Sequence, residues 1–252
     1  MPDLHKQRVV RRIFKILITL FIVVVNAILL WRIFFSTAIP SSVKTLSAND
    51  ALRNAYSQYG EELELCYQDT HSTIYEKDKL GYFSNAKVTF IPAANQVQVV
   101  IRYNNGTLRH LGEDFAPVTD ASGAVLAEQP YTPAPKKPDK SEEWFDFSLV
   151  KAIDLTPLDD ADNESSLSYE RYRPTSVTRD ETLLYTYYRL VFEGVSVNDA
   201  PEGTAVDGMF VDAYYLGTLD YDQEAYGTLC IYNRRLAWKY RDLTKADIRA
   251  LS

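Results

Sequence analysis

From Ile16 to Trp31 the chain carries no charged residue, and so long an apolar stretch satisfies its backbone cheaply only as a helix in lipid or inside a large core. Extended to Ile13–Phe35, with Lys15 and Arg32 reaching towards the head groups, the run is about 23 residues and roughly 34 Å long as a helix. That spans a hydrocarbon layer with some tilt. Ile16, Leu17, Phe21, Val24, Leu29 and Trp31 are its expected membrane-anchor residues, with Trp31, Phe34 and Phe35 suited to the outer interface.

The flanks set an orientation. Five bases precede the apolar core, whereas only Arg32 and Lys44 follow it closely, so residues 1–12 are expected in the cytoplasm and the C-terminal part across the membrane. The competing reading is a cleavable signal peptide cut near Ser36-Thr37-Ala38. Bulky Phe34-Phe35, Arg32 and the length of the run favour a retained signal anchor. Asn26, in mid-span, could bond to a partner helix, but one Asn is more often tolerated by its own backbone or by water. The resulting division is a cytoplasmic tail at 1–12, a transmembrane helix at 13–35, a tether at 36–46 and an extracytoplasmic domain at 47–252.

Charge separates these parts. Six bases against Asp3 give residues 1–35 a charge of +5, and the other 21 bases and 33 acids leave the rest at −12. A domain so acidic lacks the Lys and Arg density that phosphate backbones demand, so nucleic acid is not an expected partner. With almost half the residues apolar and Gly and Pro at ordinary levels, the domain is expected to fold around a real core.

Beyond Ile39-Pro40-Ser41-Ser42, Ser47 with Asp50 three residues on predicts a capped helix. Ala48, Ala51, Leu52, Ala55, Tyr56 and Tyr59 follow at helical spacing, and Gly60 stops it. The period then becomes two. A strand near Ala86–Ile91, a turn at Pro92–Gln96 and a strand with Val97, Val99, Ile101 and Tyr103 on one face form the clearest hairpin, followed by a turn at Asn104-Asn105-Gly106. Strands are also expected at 115–119, 124–126, 144–155, 183–197, 208–216, 227–232 and 236–241, in the last of which Leu236, Trp238 and Tyr240 share a face. Thr244 with Asp247 caps a short terminal helix. A Pro-rich loop at 129–140 and an acidic loop at 159–166 separate the strands. Roughly nine or ten strands without a βαβ rhythm predict a mainly β fold, an antiparallel β-sandwich or partly closed barrel with one or two short α-helices.

Chemistry is sparsely signposted. Cys66 and Cys230 have no ligand partners at zinc-site spacing, so they are read either as one disulfide or as free, buried thiols. No GxSxG is present, and Ser41, Ser42 and Lys44 lack the Met expected after the Ser of a signal-peptidase dyad. Thr228-Leu229-Cys230 with the downstream Arg241, in an exported domain on one anchor, faintly resembles the sortase transpeptidases, which pair a thiolate with a His and an Arg around a β-barrel. The resemblance implies a nucleophilic Cys230. However, Leu229 adjoins the Cys directly where those enzymes leave two residues between, and neither His71 nor His110 stands in a comparable motif. Asp212, Asp220, Asp222 and Glu224 lack the Gly and distal Glu of an EF-hand loop and read as a solvated turn.

No metal or other cofactor is expected. The remaining lead is aromatic: Tyr185, Tyr187, Tyr215, Tyr221 and Tyr226 are the candidate exposed binding surface. The expectation is a non-catalytic binding or interaction domain with an envelope or membrane protein as partner. The alternatives are a thiol-dependent envelope enzyme using Cys230 and a sugar-binding module using the tyrosines.

Overall fold

A computed structural model describes residues 3–70, 83–105, 145–155, 166–215 and 227–252. The expected strands at 115–119 and 124–126 and both separating loops, apart from Ser166, lie outside them. The chain divides into two compact units, Met1–Ala38 and Ile39–Ser252.

The first unit is helix α1, Asp3–Thr37. Within it Arg11–Trp31 has a mean hydropathy of 2.8 and none of it is buried, so its length and composition suffice to cross a membrane. Ile16, Leu17, Phe21, Val24, Leu29 and Trp31 all present their side chains outward. Asn26 donates its Nδ2 hydrogen to the Ile22 carbonyl at 2.8 Å, and Thr19 does the same to Lys15 at 2.9 Å. Both polar groups are thereby satisfied inside the helix.

The second unit is mainly β, with two antiparallel sheets and few helices. The larger sheet has the order β10-β1-β2-β3-β7-β6 and the smaller β5-β4-β8-β9. The strands are β1 Leu65–Tyr67, β2 Phe83–Ile91, β3 Gln96–Asn104, β4 Phe145–Asp154, β5 Leu167–Tyr172, β6 Ser176–Glu181, β7 Tyr185–Glu193, β8 Ala205–Tyr215, β9 Gly227–Asn233 and β10 Lys239–Arg241. Strands β1, β5 and β6 were not expected. The last two are polar edge strands whose outward side chains resemble those of loops.

One core is shared by the two sheets. Val97, Val99, Ile101 and Tyr103 of β3 and Tyr188, Leu190 and Phe192 of β7 meet Phe145, Phe147 and Leu149 of β4 and Met209 and Val211 of β8. Phe83 stands edge-on to Phe145 with centroids 4.9 Å apart, a geometry that matches ring quadrupoles. The same alternation sends Lys151 inward behind Leu149. There, 1% exposed, it bonds Glu170 Oε2 at 2.6 Å and the Asp199 carbonyl at 2.9 Å. Burial draws its pKa down, yet the bonds to Glu170 and Tyr172 outweigh that and leave it raised.

The second face of the larger sheet is also covered. Helix α2, Ser41–Lys44, places fully buried Val43 against Val100 and Tyr187. Helix α3, Asp50–Tyr59, and helix α4, Lys245–Leu251, enclose Leu46, Leu52, Leu65, Ile91 and Leu251. Residues expected to form a tether therefore belong to the fold from Ile39 onward. Arg189 Nη1 donates to the Ser42 and Thr45 carbonyls at 2.8 and 2.7 Å, and Ser47 N–H donates to Gln98 Oε1 at 2.8 Å.

Two local expectations change, and the clearest hairpin forms. The cap of α3 is Asn49, whose side chain accepts from Leu52 N–H at 3.0 Å, and not Ser47, whose backbone is engaged by Gln98. Strand β10 is short, and Tyr240 is 64% exposed rather than aligned inward with Trp238. The hairpin β2–β3 forms through a 3₁₀ turn at Pro92–Ala94 with Asn95 left-handed, but the neighbour of β3 on its other side is β7.

Candidate functional site

The site arises from an imperfection in the larger sheet. Strand β1 pairs with β10 at three positions, yet meets β2 at one, Cys66 opposite Phe90. The register of β2 against β3 slips between Asn85 and Lys87, and such a bulge bends the strand and re-aims its side chains. Between the departing β1 and bulged β2 opens a cleft of about 270 Å³, lined by residues 67–70 and 85–88 with Lys239 and Arg241.

Side-chain amides tie its floor to the smaller sheet. Gln68 accepts from Asn233 N–H at 2.9 Å and donates to the Leu236 carbonyl at 2.9 Å, while Asn85 Nδ2 donates to the Cys230 carbonyl at 2.8 Å. That last bond fixes the amide's orientation, because only its nitrogen can donate to a carbonyl. Asn85 Oδ1 is then buried with no hydrogen-bond partner among the described residues.

Three cations line the cleft. Lys239 sits at the rim, 3.3 Å from Asp69. Arg241 spends Nη2 on Thr89 Oγ1 at 3.2 Å and Nη1 on Asp247 at 3.4 Å, and its buried Nε has no partner among the described residues. Lys87 Nζ donates to the Lys44 carbonyl at 2.7 Å. Burial lowers its pKa to about 8, helped by repulsion from Arg241, Lys44 and Arg189 and opposed by Asp247.

The two cysteines of the thiol alternative are both described. Cys66 and Cys230 are both buried and free, not bridged, and desolvation pushes each thiol up to about 11. A thiol so shifted stays protonated at neutral pH, the opposite of what a nucleophile needs. Arg241 belongs to the larger sheet and is held by Thr89 and Asp247, whereas Cys230 belongs to the smaller. His71 and His110 lie outside the described residues.

Of the candidate aromatic surface, Tyr185 and Tyr187 pack against each other with ring centroids 6.2 Å apart. Tyr187 is fully buried under α2 rather than exposed, because the larger sheet is covered on both faces. Tyr185 is half-buried with the Arg102 guanidinium 4.7 Å from its ring centroid. Tyr215 closes β8, and Tyr221 and Tyr226 lie outside the described residues. Asp212 is buried and bonded to Arg171 at 3.4 Å and to Thr228 Oγ1 at 2.7 Å. Among the described residues no group of His, Cys, Asp or Glu is placed to hold a metal.

The cleft itself escaped the sequence reading. A single Lys in a strand looks like a solvated position, and its one textual clue was the run Asn85-Ala86-Lys87 interrupting an otherwise apolar strand. Comparisons with family models, with curated proteins and with solved structures gave no match.

Proposed function

We propose that this chain is a non-catalytic binding protein, in which α1 anchors an antiparallel β-sandwich to a membrane and the cleft beside β1 and β2 receives the ligand. The cleft carries this reading: it combines concavity with a polar lining that includes Gln68, Lys87, Lys239 and Arg241. The high thiol pKa values favour binding over thiol catalysis. The flanking charges favour residues 1–12 in the cytoplasm and the sandwich outside, where an envelope or membrane protein is a natural neighbour.

Topology is tested with single added thiols, since both native ones are buried. On intact cells a membrane-impermeant maleimide is expected to label Ser252→Cys, and to label Gln7→Cys only after lysis. Labelling of Ser252→Cys only after lysis would refute the external placement.

A further inference from the structure

A strand at the margin of a sheet shows solvent a row of N–H and C=O groups, and proteins blunt such margins by shortening, charging or covering them. Among the described residues the two sheets have four margins, and three are blunted. Strand β10 is three residues long. Strand β6 carries Arg179, Asp180 and Glu181 and lies beside α2, whose Ser42 hydroxyl bonds Asp180. Along β9, the Cys230 carbonyl accepts from Asn85 and the Asn233 N–H donates to Gln68.

Strand β5 has none of these devices. Its six residues include neither Pro nor Lys, and their register on β4 is unbroken from Leu149 to Asp154. The Leu155 N–H donates to the Ser166 carbonyl. By the alternation of an antiparallel pair, Ser168 and Glu170 therefore turn their backbone groups to β4, and Leu167 and Tyr169 turn theirs to the open margin. Nothing among the described residues bonds the backbone of these last two. Their side chains lie opposite Asp154 and Ala152, on the face away from the core, and are 38% and 63% exposed.

The residues of β5 suit a second copy of the same strand. With Glu170 against Arg171 the strand is neutral, although the segment after residue 35 carries −12. Two-fold antiparallel pairing centred on Glu170 or Arg171 would set like charges opposite each other, which is destabilising. Centred on Tyr169, it sets Tyr169 opposite itself, Leu167 opposite Arg171 and Ser168 opposite Glu170. No like charges then meet, more of β5 is engaged than a centre at Leu167 or Ser168 allows, and an aromatic pair forms on the axis. We propose that β5 is the edge at which two copies of this chain join, antiparallel and centred on Tyr169, so that their smaller sheets become one continuous sheet. The contact is independent of the cleft beside β1 and β2.

Light scattering on the full chain in detergent, over a dilution series, tests this. The parent is expected to be dimeric. Tyr169→Pro removes a donor that points away from β4, so the ladder within the chain is kept while the open margin is spoiled; Leu167→Lys places a charge on that margin. Each variant, checked for unchanged strand content by circular dichroism, is expected to dimerise about tenfold more weakly or worse. Directly paired residues stand about 5.5 Å apart between Cα atoms, within reach of a disulfide, and both native thiols are buried. Mild oxidation should therefore link Tyr169→Cys chains in pairs and leave Leu183→Cys chains, equally exposed at 63% but in the larger sheet's β6–β7 turn, unlinked. A parent that is monomeric throughout the series overturns the proposal. So does a dimer that survives both Tyr169→Pro and Leu167→Lys, since it would be held elsewhere, or equal linking of the two cysteine variants.

Discussion

Asp247 shows how much one side chain can organise. Its carboxylate completes the capping box with Thr244, accepts from the Leu46 backbone and receives Arg241. Burial raises its pKa, but the bonds from Leu46 and Thr244 and the nearby Lys87 charge outweigh this and hold it below the ordinary Asp value. A carboxyl with a depressed folded pKa contributes stability that is present above the unfolded value and lost as pH falls through the folded one. Asp247→Asn should therefore destabilise the domain by about 2–4 kcal/mol near neutral pH and flatten its acid sensitivity, read from urea melts at several pH values. A variant as stable as the parent would mean that these bonds merely accompany the fold. The capping box was legible as Thr-x-x-Asp; its long-range bond to Leu46 was not, because nothing local connects residues two hundred positions apart.

Among the elements, those with strict periodicity were readable and those shaped by coverage were not. Phe145, Phe147 and Leu149 alternate because β4 has one apolar face there, and the hairpin β2–β3 follows from its pattern and turn. Val100 and Tyr187 break the rule, because α2 buries the other face as well. The apolar Ile39, Val43 and Leu46 hinted at this docking, but Pro40 and the serines read as a linker. Helix α3 ends as anticipated at Gly60, whose φ of 59° and ψ of −136° suit only Gly. No atom lies within 4 Å of a Cβ built there, so Gly60→Ala should cost about 1–3 kcal/mol purely through backbone strain. Equilibrium unfolding measures this; a neutral result would mean that the helix end relaxes freely.

At the scale of the molecule, the larger sheet joins the two ends of the domain. The first strand pairs with the last, and α4 packs beside α3 over the same face. Removing residues 242–252 should therefore expose Leu65, Ile91 and Leu52, and leave the second unit susceptible to protease throughout rather than trimmed at one terminus. Limited proteolysis of the full and shortened chains decides it: an equally resistant shortened chain would show that this closure is dispensable. Helix α1 was the easiest feature to read, because sixteen uncharged residues need no tertiary context. The cleft was the hardest, since it depends on β1 leaving β2.

The pairing of β1 with β10 also imposes an order on biosynthesis. Because Leu65 finds Arg241 and Leu46 finds Asp247 only once those later residues have been made, the domain cannot finish folding before residue 247 has emerged. Throughout that interval the inner edge of the sheet must be kept from pairing with strangers.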